Sequence, residues 1–119
     1  TDLVSIVQKT IKKNIKDITI DFIPQSAITV VIASKGYPGE FKKEVLLPSL
    51  KNFNDKTEIS VFHSGTSKDK NGNIVSNGGR VLSITSVGAN VQDCRQKAYG
   101  IVEAINWEQG FYRKDIGKL

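Results

Sequence analysis

Asn77-Gly78-Gly79-Arg80 is the stretch of this sequence best equipped for chemistry. Two adjacent glycines let the backbone take positive φ, which other residues resist. Successive N–H groups in such a turn form a concave nest for an anion. Arg80 then adds a planar fork of donors suited to phosphate or carboxylate. The chemistry on offer is recognition of an anion. A plain β-turn whose arginine points into water has the same spacing, because Gly-Gly-Arg alone is a weak motif.

Other chemistries are poorly provided for. His63 is the sole histidine and stands beside Ser64, but neighbours on a strand point to opposite faces, which argues against a nucleophile–base pair. There is no Gly-rich phosphate loop ending in Lys-Ser or Lys-Thr and no dinucleotide fingerprint. The carboxylates are scattered, with no pair at catalytic spacing. Cys94 is the only cysteine, which excludes an internal disulfide and a cysteine-based zinc site and agrees with a reducing cytoplasm. The residues therefore predict no catalytic group and no metal site within this stretch.

The elements that must position Arg80 follow from periodicity. Thr1 and Asp2 cap a helix predicted to run to about Lys16, with Leu3, Val7, Ile11, Asn14 and Ile18 near one face and Val4, Ile6 and Ile15 widening it. Such a helix needs a partner surface, expected on upstream sequence, since the chain opens at Thr1 without methionine and reads as a piece of a longer protein. Ile18 to Gln25 is an extended connector containing Pro24. Ser26 to Ser34 is the strongest strand; Ile28, Val30 and Ile32 share one face, Val31 and Ala33 the other, which predicts a central position. Gly36-Tyr37-Pro38-Gly39 ends it in a tight turn. Glu44 to Leu47 reads as a short strand, and residues 49–57 as polar loop.

Glu58 to His63 alternates as another strand. Asn71-Gly72 predicts a hairpin with positive φ at both residues. The return strand Ile74-Val75-Ser76 leads into the Gly-Gly-Arg turn, so that turn and Phe62-His63-Ser64-Gly65-Thr66 should meet at one rim of a sheet. Val81 to Val87 is the last long strand. Asn90, with Asp93 three residues on, caps a helix whose inward stripe is Val91, Cys94, Ala98, Ile101, Val102 and Ile105. Arg95, Gln96, Lys97 and Glu103 should face out, and Cys94 should be a small buried apolar residue. The tail from Phe111 to Gly117 is either a final strand or a disordered end. The expected fold is α+β: a mostly antiparallel sheet with a packed C-terminal helix, preceded by one separate helix.

The totals are those of one domain: 119 residues, 39% hydrophobic and 24% charged. The net charge of +5 comes from 17 basic and 12 acidic residues interspersed from end to end. Lys9, Lys12, Lys13 and Lys16 ride on an amphipathic helix without interleaved exposed aromatics, which reads as a solvated face rather than a nucleic-acid stripe. No apolar run reaches the length of a membrane helix. A small anionic metabolite suits the balance.

The ordered set Gly36-Tyr37-Pro38-Gly39, Phe62-His63-Ser64-Gly65-Thr66, Asn77-Gly78-Gly79-Arg80-Val81-Leu82 and Arg113-Lys114-Asp115-Ile116-Gly117 resembles the C-terminal domain of the phosphoribosylamine–glycine ligase (glycinamide ribonucleotide synthetase) family. The resemblance covers roughly Gln25 to Leu119, with Ser64 where the family commonly has alanine. It implies a boundary: residues 1–20 as the terminal helix of a preceding ATP-grasp region, and 21–119 as a barrel-sandwich-like C-terminal domain. It also implies an ATP-dependent carbon–nitrogen ligase of de novo purine biosynthesis. That enzyme joins phosphoribosylamine to glycine through a glycyl phosphate, releasing ADP and phosphate, in the cytoplasm.

ATP and Mg²⁺ (or Mn²⁺) would then be bound upstream, leaving this stretch without a cofactor and inactive in isolation. Arg80 would meet the 5′-phosphate of the substrate, with the amides of Gly78 and Gly79 beside it. Asn77 would bind ribose hydroxyls or brace the turn. Gly36, Tyr37, Pro38 and Gly39 would line the same cleft or pack against a neighbouring domain. Arg113 and Asp115 are equally readable as an ion pair pinning the tail. Expected partners are phosphoribosylamine, glycine and the upstream ATP-grasp domains, not nucleic acid or membrane. The alternative, from another class, is a free-standing basic module that binds nucleic acid or protein.

Overall fold

Strand β1 (Ser26–Ser34) carries the predicted alternation, and the rest of the fold is laid against it. A computed structural model describes residues 1–53 and 57–118. Ahead of β1 lies α1 (Leu3–Ile11); after it come β2 (Ile59–His63), β3 (Thr66–Lys68), β4 (Ile74–Ser76), β5 (Arg80–Gly88), α2 (Val91–Ile105) and the short β6 (Gly110–Phe111). The main sheet is antiparallel in the order β2-β5-β1-β6, so β1 is internal as its two apolar faces predict. A separate two-stranded sheet pairs β3 with β4.

Helix α2 covers one face of the main sheet. Its buried Cys94, Ala98, Ile101, Val102 and Ile105 join Ile28, Val30, Ile32, Leu82 and Ile84 in a single core. Burying each large aliphatic side chain contributes about 1.5–3 kcal/mol, which is what holds helix to sheet. Asn90 caps α2 as expected, its Oδ1 accepting from Asp93 N at 2.9 Å. The helix ends at Asn106 in the left-handed conformation (φ 44°), one of the few non-glycine residues that tolerates it. The next residue, Trp107, turns back into the core and donates Nε1–H to Leu46 O at 3.0 Å, a role nothing in the local sequence signals. The opposite face of the sheet is open and lightly polar, with Thr29 and Thr85 hydroxyls 2.8 Å apart across β1 and β5.

Several local expectations need correction. Helix α1 stops at Ile11, short of Lys16, because Lys13 adopts φ 61° and the chain folds back. Lys13 N donates to Thr10 O at 3.0 Å and Asn14 N to Lys9 O at 2.9 Å, the crossed pair of bonds that closes a helix in a Schellman motif. A 3₁₀ turn at Ile15–Asp17 follows. Helix α1 buries no side chain, and Leu3, Val7 and Ile11 remain exposed. The segment at 44–47 makes one bridge, Leu46 to Val75, in place of a strand.

At the hairpin, Gly72 has φ 82° but Asn71 has no positive φ, so the predicted double left-handed turn is absent. Asp69 organises the loop: its O accepts from Gly72 N at 3.0 Å and its Oδ1 from Asn71 N and Asn73 N, each at 2.8 Å. That is a three-residue loop with glycine in the left-handed position. Strand β3 (Thr66–Lys68) is additional to the strands that periodicity predicts. Of the tail only Phe111 enters a strand, β6 pairing with Ala33 and Ser34; residues 112–117 are neither strand nor loose end, being tied to α2 through Tyr99 and Arg95. Arg95, expected to face out, is half-buried and donates to the carbonyls of Ile116 and Lys114.

Candidate functional site

An irregularity between β1 and β5 decides where Arg80 points. Ile32 pairs with Leu82, but Ala33 pairs with Arg80, so Val81 is an extra residue on β5. Side chains alternate along a strand, and an unbroken register would give Arg80 the core-facing parity of Leu82 and Ile84. The bulge carries it instead to the open face, a recurrent use of this device. There Arg80 is exposed and lines a cleft of about 540 Å³ together with Val31, Tyr37, Ser64, Gly65, Gly79 and Ser83. The ion pairs among the described residues join Lys97 to Glu58 and Asp93, and Arg113 to Asp115, leaving the Arg80 guanidinium uncommitted.

The segment leading into Arg80 is clamped from two sides. Ser34, buried at the end of β1, donates N–H to Gly79 O at 2.8 Å and Oγ–H to Gly78 O at 3.1 Å. From the β2 side, Gly65 N donates to Arg80 O at 2.8 Å and Ser64 N to Val81 O at 2.9 Å, while Asn77 N donates to Gly65 O at 2.7 Å. The motifs after β2 and before β5 therefore do meet at one rim, as their order along the sequence implies.

The reason for the paired glycines differs from the expected one. The glycines with positive φ among the described residues are Gly36, Gly72 and Gly117, so neither Gly78 nor Gly79 forms the predicted left-handed nest. Close approach takes its place. A Cβ at Gly79 would stand 1.9 Å from Tyr37 Cδ2, overlapping the edge of the ring. One at Gly65 would stand 2.7 Å from Gly78 Cα, so the two backbones can touch only as glycines.

Tyr37 is also the one member of the 36–39 turn on the cleft lining. Gly36, Pro38 and Gly39 lie outside that lining, as do Asn77 and Gly78. The Tyr37–Pro38 peptide is cis, and Tyr37 N donates to Ser34 O at 3.0 Å. Asn77, expected to bind ribose or brace the turn, braces it through its backbone while its side chain stays exposed. His63 Nδ1 lies 3.0 Å from Thr66 Oγ1, and Ser64 Oγ lies 3.4 Å from Ser83 Oγ, so His63 and Ser64 take different partners. Arg113 and Asp115 form an exposed bidentate pair at 2.6 and 2.9 Å. Among the described residues there is no group of three or more His, Cys, Asp and Glu able to hold a metal, and no helix long and apolar enough to cross a membrane.

Sequence reasoning did not assign Ser34, Val31 or Ser83 to this site. Ser83 shares parity with Thr85 and Val87 along β5, a polar-leaning outer stripe that alternation could have revealed. Ser34 reaches a carbonyl 44 residues away, and no local pattern carries that information.

The family described as "Phosphoribosylglycinamide synthetase, C domain" matches residues 27–119. A chloroplastic phosphoribosylamine–glycine ligase of Arabidopsis thaliana is 38% identical over 118 residues, covering 98% of this chain and 22% of that protein. The phosphoribosylamine–glycine ligase of Agrobacterium fabrum is 38% identical over 117 residues, covering 98% of this chain and 27% of its own length. A bifunctional purine biosynthetic protein of Dictyostelium discoideum is 40% identical over 118 residues, covering 99% of this chain and 14% of its own. Among solved structures, phosphoribosylamine–glycine ligase from Thermotoga maritima superposes with a TM-score of 0.63 at 32% identity, over 75% of this chain and 21% of that one. The chain thus spans 14 to 27% of the length of these curated relatives. Together they favour the ligase expectation over a free-standing basic module, and the fold matches the expected α+β class.

Proposed function

The chain belongs to the phosphoribosylglycinamide synthetase C-domain family, and on that premise we propose that it forms one wall of the sugar-phosphate site of a phosphoribosylamine–glycine ligase. The whole enzyme joins phosphoribosylamine and glycine at the expense of ATP, yielding glycinamide ribonucleotide, ADP and phosphate in purine biosynthesis. Arg80 meets the 5′-phosphate, and Gly78 and Gly79 form the narrow backbone that presents it. Tyr37 walls the cleft on the side of the 36–39 turn. The observation that carries this reading is the bulge at Val81, which turns a guanidinium without an ion-pair partner among the described residues out of the core and into a cleft. A guanidinium fork held against a rigid strand suits a phosphate monoester, since two parallel N–H donors meet two oxygens.

ATP and Mg²⁺ (or Mn²⁺) are assigned to the ATP-grasp region upstream of this chain, which is what the resemblance to the ligase family implies. No step of phosphoryl transfer is therefore routed through these residues, and the chain by itself is inactive. Residues 1–20 belong to the end of the ATP-grasp region. The support for that boundary is helix α1, which has an apolar face and buries none of it within the described chain. A cytoplasmic location belongs to the same reading; the Arabidopsis relative is chloroplastic by name.

The test is Arg80→Ala in the full-length ligase. KM for phosphoribosylamine should rise about ten- to a hundredfold, the worth of one charge-assisted contact, with KM for ATP and glycine little changed. An unchanged KM for the sugar phosphate removes Arg80 from the site.

A further inference from the structure

Resting on that reading of the cleft, we propose that the hydroxyls of Ser64 and Ser83 complete the phosphate seat beside Arg80, as two neutral donors to the oxygens that the guanidinium fork leaves free. Ser83 lies on β5 and Ser64 one residue past the end of the adjacent β2, and both line the same cleft as Arg80. Their oxygens are 3.4 Å apart, well beyond the usual O–H···O separation of about 2.7–2.8 Å. Each hydroxyl therefore gives up little when it rotates away from the other and towards a ligand.

Their positions are set by backbone rather than by side-chain packing. Ser64 N is bonded to Val81 O at 2.9 Å, and Phe62, two residues before Ser64, pairs with Ser83 in the β2–β5 ladder. Donors held on a sheet need little reordering to meet a ligand, and this is where affinity is gained cheaply. A phosphate monoester has three terminal oxygens, more than one bidentate arginine can satisfy. Hydroxyls add hydrogen bonds without adding charge, so the seat remains selective for a dianion without attracting every passing anion. Ser64 is informative on its own, because alanine at that position has no donor to offer.

The experiment measures the inhibition constant of ribose 5-phosphate against phosphoribosylamine in the full-length ligase, with ribose as the unphosphorylated control. Ser64→Ala and Ser83→Ala should each raise the constant for ribose 5-phosphate roughly five- to fiftyfold. Ser83→Thr, which keeps a hydroxyl and suits a strand, should stay within about twofold. If both alanine variants bind the probe as the wild type does while Arg80→Ala loses it, the serine assignment is overturned and the cleft reading stands. If Arg80→Ala also binds normally, both fall together. Circular dichroism on each variant guards against a folding defect, and the Ser83→Thr variant separates loss of the hydroxyl from loss of structure.

Discussion

The ring of Tyr37 occupies the space in which any side chain at Gly79 would have to sit, with Cδ2 only 1.9 Å from an ideal Cβ there. The 36–39 turn and the segment carrying Arg80 are therefore one interlocked unit. Gly79→Ala should push the ring aside and cost about 1–3 kcal/mol, the usual range for overpacking a fitted site. Tyr37→Ala removes the obstacle and creates a void instead. The double variant should be more stable than the sum of the singles predicts, by about 1 kcal/mol or more, because the new methyl fills the space the ring vacated. Urea unfolding of the four proteins measures this coupling. Additive effects would mean that the contact does not constrain residue 79.

Ser34 holds the same segment from below. Its hydroxyl is buried and donates to Gly78 O at 3.1 Å, while its N–H holds Gly79 O. Ser34→Ala removes only the first bond and should cost about 0.5–1.5 kcal/mol, more if Gly78 O is left without a donor. In the full-length ligase, KM for the sugar phosphate should rise while KM for ATP stays put. A variant that loses stability without moving that KM would make Ser34 a packing residue with no bearing on the cleft.

The sequence carries the core readily and the site only in part, for a physical reason. The apolar stripe of α2 and the alternation of Ile28, Val30 and Ile32 are local patterns, and tertiary packing uses them as they stand. Arg80 and the paired glycines stand out by residue type, but their geometry comes from a one-residue slip in pairing between strands about 50 residues apart. No periodicity encodes such a slip. Residue type alone therefore marks the glycines as conformational specialists, whereas their purpose is close contact with Tyr37 and Gly65. The early end of α1 was hidden for a related reason, since its apolar repeat continues past Lys13 while the backbone turns left-handed there.

An ion triad ties α2 to the entry of β2 and makes stability depend on pH. Lys97 Nζ lies 2.7 Å from Asp93 Oδ2 and 2.9 Å from Glu58 Oε2. The hydrogen bond from Lys97 is the chief reason the Asp93 carboxyl is held below its ordinary value of 3.8. Bonds to Asp93 first and Glu58 second hold Lys97 above its ordinary 10.5. The acid's contribution is complete above its unfolded value and is lost as pH falls through the lower folded one. The lysine's is complete below its unfolded value and is lost as pH rises through the higher folded one. The gap in Tm between wild type and Lys97→Gln should therefore be widest between roughly pH 5 and 9, narrow below about pH 3, and shrink in high salt. A gap that stays constant down to strong acid would assign the effect of Lys97 to packing along its aliphatic stem.

The tail is fastened to α2 by Tyr99 as well as Arg95, and the two fastenings can be separated. Tyr99 donates its hydroxyl to Arg113 O at 2.7 Å and accepts from Ile116 N at 3.1 Å, while its ring lies 5.0 Å below the Arg95 guanidinium. Tyr99→Phe keeps the ring and the cation–π contact but removes both hydrogen bonds, so Arg95 should still reach the carbonyls of Lys114 and Ile116. Losing two such bonds, each worth about 0.5–1.5 kcal/mol, should loosen residues 113–118 before it loosens the core. Trypsin then reports the result directly, because Arg113 and Lys114 are cleavage points within the fastened segment. Cleavage there should be several-fold faster in Tyr99→Phe, with Tm changed by only a few degrees. Equal cleavage in both proteins would mean that Arg95 and the pairing of β6 with Ala33 and Ser34 suffice to hold the tail.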